Sequence, residues 1–109
     1  GGVSGNAGLF STTHDLAVIF QMLLDRGICG DRRYLSRATC GLFMGMKAKS
    51  SRRGLGFDKP DIESDDNSPC TPEAPASVFG HTGFTGTCVW VDPDNALVFV
   101  FYLSCCIWS

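Results

Sequence analysis

The run Phe79-Gly80-His81-Thr82-Gly83-Phe84-Thr85-Gly86-Thr87 sets an imidazole and several hydroxyls among glycines, just before the strand-like Cys88-Val89-Trp90-Val91. Glycine lets backbone N–H groups lie open at the end of a strand, and such a ledge can hold a carboxylate or a developing oxyanion. Histidine changes charge near neutral pH, so His81 could relay a proton or orient a substrate. Thr82 could hydrogen-bond a substrate carboxylate or carbonyl, and Gly83 keeps a side chain away from where a substrate would lie. The plainer alternatives are a strand-end histidine satisfied by nearby backbone, and ordinary bulge chemistry at Thr82 and Gly83.

These residues need elements to position them. Thr12 can cap a helix, with Asp15 three residues on completing a capping box whose charge also suits a helix N-terminus. Leu16, Ile19, Phe20, Leu23 and Leu24 follow at the spacing of one buried stripe, and Gly27 is a natural stop. Ser36 opens a second helix reaching to about Met46, with Leu42, Phe43 and Met46 inward; Gly41 and Gly45 weaken it. Gly54-Leu55-Gly56-Phe57 reads as a short strand. Residues 58–77 hold four of the five prolines and many carboxylates, a composition that predicts an exposed loop.

The last third is β. Val78–Gly83 and Thr87–Asp92 are strands, and Asp92-Pro93-Asp94-Asn95 supplies turn chemistry before a third. Ala96–Leu103 is apolar at nearly every position, which predicts a strand covered on both faces. Trp90, Phe99 and Phe101 are expected in the core, and His14 on the surface of the first helix. Fold class is α/β, in the α+β sense: two helices and roughly four mostly antiparallel strands.

A chain of 109 residues has room for one domain at most. Its net charge of -2 and lack of a Lys/Arg stripe argue against nucleic acid. Lys47, Lys49, Arg52 and Arg53 form the only basic cluster, read as a solvated connecting loop. Residues 96–103 are far short of a membrane span, and Gly1–Phe10 is a glycine-rich loop without the charged-then-apolar pattern of a leader. Of the six cysteines none forms Cys-x-x-Cys and neither histidine stands at ligand spacing from a pair, so no metal site and no cofactor are expected. Cys105 and Cys106 could form a vicinal disulfide, although free thiols are the simpler reading.

His81-Thr82-Gly83, placed after Gly5-Asn6-Ala7-Gly8-Leu9-Phe10-Ser11-Thr12 with its Asp-Leu helix and before a Trp-Val-Asp-Pro hairpin, resembles the serine β-lactamase-like hydrolases. These include penicillin-binding proteins, class C β-lactamases, D-amino-acid peptidases and related esterases. The resemblance covers most of the chain outside residues 47–77. It implies a helix–antiparallel sheet–helix domain of which residues 1–109 form the C-terminal portion, and a setting in the periplasm, cell envelope or outside the cell. It implies a serine that attacks an amide, ester or β-lactam carbonyl to give an acyl-enzyme. The backbone N–H of Phe84 would be one oxyanion donor, His81 and Phe84 would be the catalytic contributors, and His81, Thr82, Gly83 and Thr85 would line the substrate.

The serine and its helical lysine are missing from these residues. No serine is followed three positions later by lysine, no Gly-x-Ser-x-Gly occurs, and neither Tyr34 nor Tyr102 begins a Tyr-x-Asn. Asn6 stands where many relatives show histidine, and Ser104 to Ser109 replaces the polar exit that usually follows the last strand. The expected partners are therefore a small-molecule or peptide substrate and an N-terminal part of the same domain. A binding module that kept the cleft without the nucleophile, or an inactive remnant, are the alternatives to a hydrolase fragment.

Overall fold

The computed structural model describes residues 8–45, 48–63 and 68–103. The first helix, α1 (Thr13–Leu24), starts where its cap predicts: Thr12 Oγ1 accepts the Asp15 N–H at 3.1 Å. It ends one residue earlier than its glycine suggests. Arg26 takes the left-handed position, its N–H bonds Leu23 O, and the Gly27 N–H reaches back to Met22 O at 2.8 Å. That pair of bonds is a Schellman closure. Gly27 is needed for a second reason, because a Cβ there would run into the backbone carbonyl of Leu35.

A small hairpin that the sequence reading did not foresee follows, β1 (Ile28–Cys29) with β2 (Arg32–Arg33). Each strand is only two residues long, too short to show an alternating pattern. Ser36 then caps α2 (Arg37–Gly45), accepting the Thr39 N–H at 3.0 Å. The inward residues of α2 are Cys40 and Met44, an i, i+4 pair, whereas Leu42 and Phe43 are exposed. A helix of this length meets the core along one narrow stripe, and that pair occupies it. The expectation for Met46 lies outside the described residues. In α1 the same narrowness leaves Ile19 half exposed while Phe20 and Leu23 are buried.

The sheet is an antiparallel meander of β3 (Phe79–Thr82), β4 (Cys88–Asp92) and β5 (Leu97–Phe101). Asp92 builds the second turn by accepting the N–H groups of Asp94 and Asn95, and Ala96 leaves it in a left-handed conformation. Cross-strand partners share a face, so Phe79, Val91 and Val98 line one side with His81, Val89 and Val100. This side meets α1. Phe20, Phe57 and Phe79 pack as a tilted trio with centroids 5.0 to 6.4 Å apart, at distances where edge-to-face pairs attract.

The other side carries Trp90, Phe99 and Phe101, and two expectations fail there. Leu97, Phe99 and Phe101 are 55%, 49% and 44% exposed, so β5 is covered on one face only and neither phenylalanine is core. A strand buried on both sides needs a layer on each, and among the described residues only the α1 side has one.

Residues 54–57 also depart from expectation. They form a turn in which the Gly54 N–H donates to Phe57 O, and only Asp58 makes a β-bridge, to Gly80. The predicted exposed loop begins with buried residues: Asp58 and Lys59 are 1% and 5% exposed, and Pro60 is buried with them. Their burial follows from that bridge, which lays the segment along the outer edge of β3. The rest of 58–77, where described, is exposed or half-buried.

Candidate functional site

His81 and Thr82 are the last residues of β3, and both are exposed. Beyond them the chain turns tightly. The Gly83 N–H donates to Thr87 O at 2.7 Å, and the Gly86 N–H donates to Gly83 O at 3.1 Å. Gly86 is left-handed (φ 89°), which gives Phe84-Thr85-Gly86 the form of a three-residue hairpin loop. Phe84 is the first central residue of that turn, with its ring wholly in solvent. Among the described residues no hydrogen bond takes up its N–H. A Cβ on Gly83 would meet the Thr87 hydroxyl, so the ledge is bare at this position.

Of the five residues singled out from the sequence, the structure therefore brings His81, Thr82, Gly83, Phe84 and Thr85 together at one strand end, all exposed. Such an arrangement offers an open N–H and threonine hydroxyls to a polar ligand, with the imidazole beside them. The apolar cavity of about 180 Å³ lined by Leu23, Leu35, Cys40, Phe43 and Phe57 touches none of them.

The imidazole is held from both sides. Its Nδ1 lies 2.6 Å from Thr82 O, and its Nε2 lies 2.8 Å from a terminal nitrogen of Arg53. Arg53 belongs to the basic cluster read as a solvated loop; it is exposed as that reading expects, but its guanidinium and that of Arg52 also make specific bonds. Arg52 makes a two-pronged bond to Asp58, Nε to Oδ1 at 2.7 Å and Nη2 to Oδ2 at 3.0 Å. The Asp58 carboxylate raises the Arg52 pKa above its ordinary value. Lys47 lies outside the described residues, and Lys49 alone remains exposed without such a bond among them. Sequence reasoning could not have found Arg53, because its partner lies 28 positions away and the two segments meet only once the chain has folded, through contacts such as the Asp58–Gly80 bridge.

Asp58 is thus the hub that sets this loop against β3. Its backbone exchanges both hydrogen bonds with Gly80, at 2.8 and 3.0 Å, one residue before His81. Lys59 continues the anchor by donating from Nζ to Met44 O and Val78 O, tying the end of α2 to the start of β3. Burial pushes the Lys59 ammonium below the usual lysine range. Burial, with the nearby Asp58 charge, pushes the Cys70 thiol up. Cys40 is buried, Cys29 exposed and all four described cysteines are free; Cys105 and Cys106 lie outside the described residues. No described group of side chains is placed to hold a metal ion, and no described helix is long and apolar enough to cross a membrane.

Comparison with known proteins places the chain in a family. Two relatives, from Salmonella gallinarum and Salmonella typhi, each carry the name "Putative D-alanyl-D-alanine carboxypeptidase". Each is 38% identical over 104 residues, covering 92% of this chain and 23% of the relative. The chain therefore spans about a quarter of the length of the curated relatives it matches. A family model described as Beta-lactamase matches residues 1–105, and on that match the chain belongs to the Beta-lactamase family.

Proposed function

We propose that this chain is the substrate-binding wall of a serine hydrolase that cleaves an amide, ester or β-lactam through an acyl-enzyme, with the nucleophile supplied from outside these residues. Family membership supports the hydrolase class. The observation that carries the reading is the open Phe84 N–H, presented with that of Thr85 by a turn that the bonded Gly83 and Gly86 N–H groups close on either side. When a serine hydroxyl adds to the carbonyl carbon, its proton passes to a base and the electron pair of the C=O moves onto oxygen. That oxygen must meet a fixed donor, and on this reading the Phe84 N–H is one. The Thr82 and Thr85 hydroxyls and the bare Gly83 line the approach, and His81 flanks it.

Within the three substrate classes, the names of the relatives favour a peptide ending in D-alanyl-D-alanine. The test is turnover by the whole protein that carries this chain, against an N-acyl-D-alanyl-D-alanine peptide, an aryl ester and a cephalosporin. Turnover of any one, with a burst of acyl-enzyme, is the expected result. Failure with all three, without binding, would overturn the reading.

The alternative to this reading is a binding module of the same family that kept the cleft without the nucleophile. Saturable binding of the same panel without turnover would support it. Under the first reading the 109-residue chain alone is inert, because nothing in it forms the acyl-enzyme. Turnover by that chain above a His81→Ala control would contradict this.

A further inference from the structure

The sequence leaves His81 two roles, proton relay or fixed orienting group, and the hydrogen bonds around it choose between them. A guanidinium has only N–H donors and no acceptor. The nitrogen that meets Arg53 at 2.8 Å, Nε2, must therefore be the accepting one. A backbone carbonyl only accepts, so Nδ1, at 2.6 Å from Thr82 O, must carry the proton. Which ring nitrogen is protonated is set by the partner of the other, and here both partners agree. An imidazolium would turn N–H toward N–H at Arg53.

We propose that Arg53 is the positioning residue of His81, fixing the ring in the tautomer with its proton on Nδ1 and its Nε2 occupied. The proposal rests on the reading above only in treating His81 as part of the substrate wall.

Arg53 is itself held for this task. Its carbonyl accepts the Ala48 N–H at 2.8 Å, and its N–H donates to Ser51 Oγ at 3.2 Å, which fixes the backbone of the loop. Asp58 lies 3.7 Å from its second terminal nitrogen while bonding Arg52 fully. The carboxylate thus keeps one guanidinium for itself and steers the other toward the imidazole. With Nε2 occupied, His81 serves as a fixed flank of the ledge rather than as a base. A proton acceptor for the attacking serine must then come from elsewhere in the whole protein.

Nitrogen NMR on protein labelled with 15N-histidine tests this without needing turnover. The His81 signals are identified by their loss in His81→Gln. The expected spectrum at neutral pH has a pyrrole-type, proton-coupled Nδ1 and a pyridine-type Nε2. Arg53→Met is expected to lose that split and give averaged signals, and Arg53→Lys, which also only donates, to keep it. An Arg53 with a merely structural role would change stability and leave the nitrogen shifts alone. Averaged signals or a protonated Nε2 in the unaltered protein would overturn the proposal, as would an Arg53→Met spectrum identical to it. If Arg53→Met does not fold, the unaltered spectrum decides. A hydrolase with averaged His81 signals would sink this proposal alone, and a locked His81 in a protein that binds and cleaves nothing would sink the function alone.

Discussion

Residues 48–60 and the turn at 83–87 flank the same end of β3, and their polar groups are treated in opposite ways. In the first segment every charge but Lys49 is engaged: Arg52 on Asp58, Arg53 on His81, and Lys59 on two backbone carbonyls. Near its end Asp58 and Lys59 are nearly inaccessible, although residues 48–51 before them are exposed. The turn has the opposite character, exposed from Gly83 to Gly86 with the Phe84 N–H left open. The difference shows how a small site is made. Open donors hold their aim only if the strand that presents them is fixed, and the first segment fixes it through the bridge to Gly80.

The sharpest way to break that contrast is at Gly80. A side chain there would run into Val89 O and the Trp90 backbone, so the strand pair and the Asp58 bridge would part together. Gly80→Val is expected to cost about 3 kcal/mol in chemical denaturation. A variant as stable as the parent would show that the bridge does not hold the strand end.

Asp58→Ala should cost somewhat less, about 2 kcal/mol. It removes the buried half of an ion pair whose other half, Arg52, is 30% exposed and can recover water. Beyond stability, it should release Arg53 from His81, read as a loss of the split between the two imidazole nitrogens. Retention of that split would show that Asp58 does not steer Arg53.

The smallest effect concerns pH. Burial lowers the Lys59 pKa in the folded state, so between that value and the ordinary 10.5 the unfolded chain binds more protons. Stability should therefore rise with pH across this window, because the cost of a buried ammonium is relieved as the folded state gives up its proton. Below the folded pKa both states are charged and the slope vanishes. Lys59→Met should flatten the rise, read from denaturation midpoints at a series of alkaline pH values. An unchanged slope would place the titration on another group.

Much of this was legible in the sequence wherever neighbours along the chain decide the outcome. Thr12 and Ser36 each cap a helix by a bond to a residue three positions away, and Asp92 builds its turn within three positions. That residues 81–85 share one strand end was legible for the same reason, since they are consecutive. What was illegible depends on distant partners. Asp58 reads as one more loop carboxylate until Gly80 and Arg52 close on it, and Arg53 reads as solvated until β3 brings His81 alongside. Phe99 and Phe101 failed in the other direction. An apolar run says that a strand can be covered on both faces, and whether it is depends on layers that lie elsewhere.

The central claim is that the Phe84 N–H, and not its side chain, stabilises the transition state. Phe84 occupies the first central position of the turn, which proline fits well, so Phe84→Pro removes the N–H while keeping the backbone path. In the whole protein, assayed on whichever substrate it turns over, Phe84→Ala should retain most of its kcat. Phe84→Pro should lose about 10²–10³-fold in kcat with little change in KM. Equal activity of the two variants would contradict the assignment and leave the turn without a catalytic part.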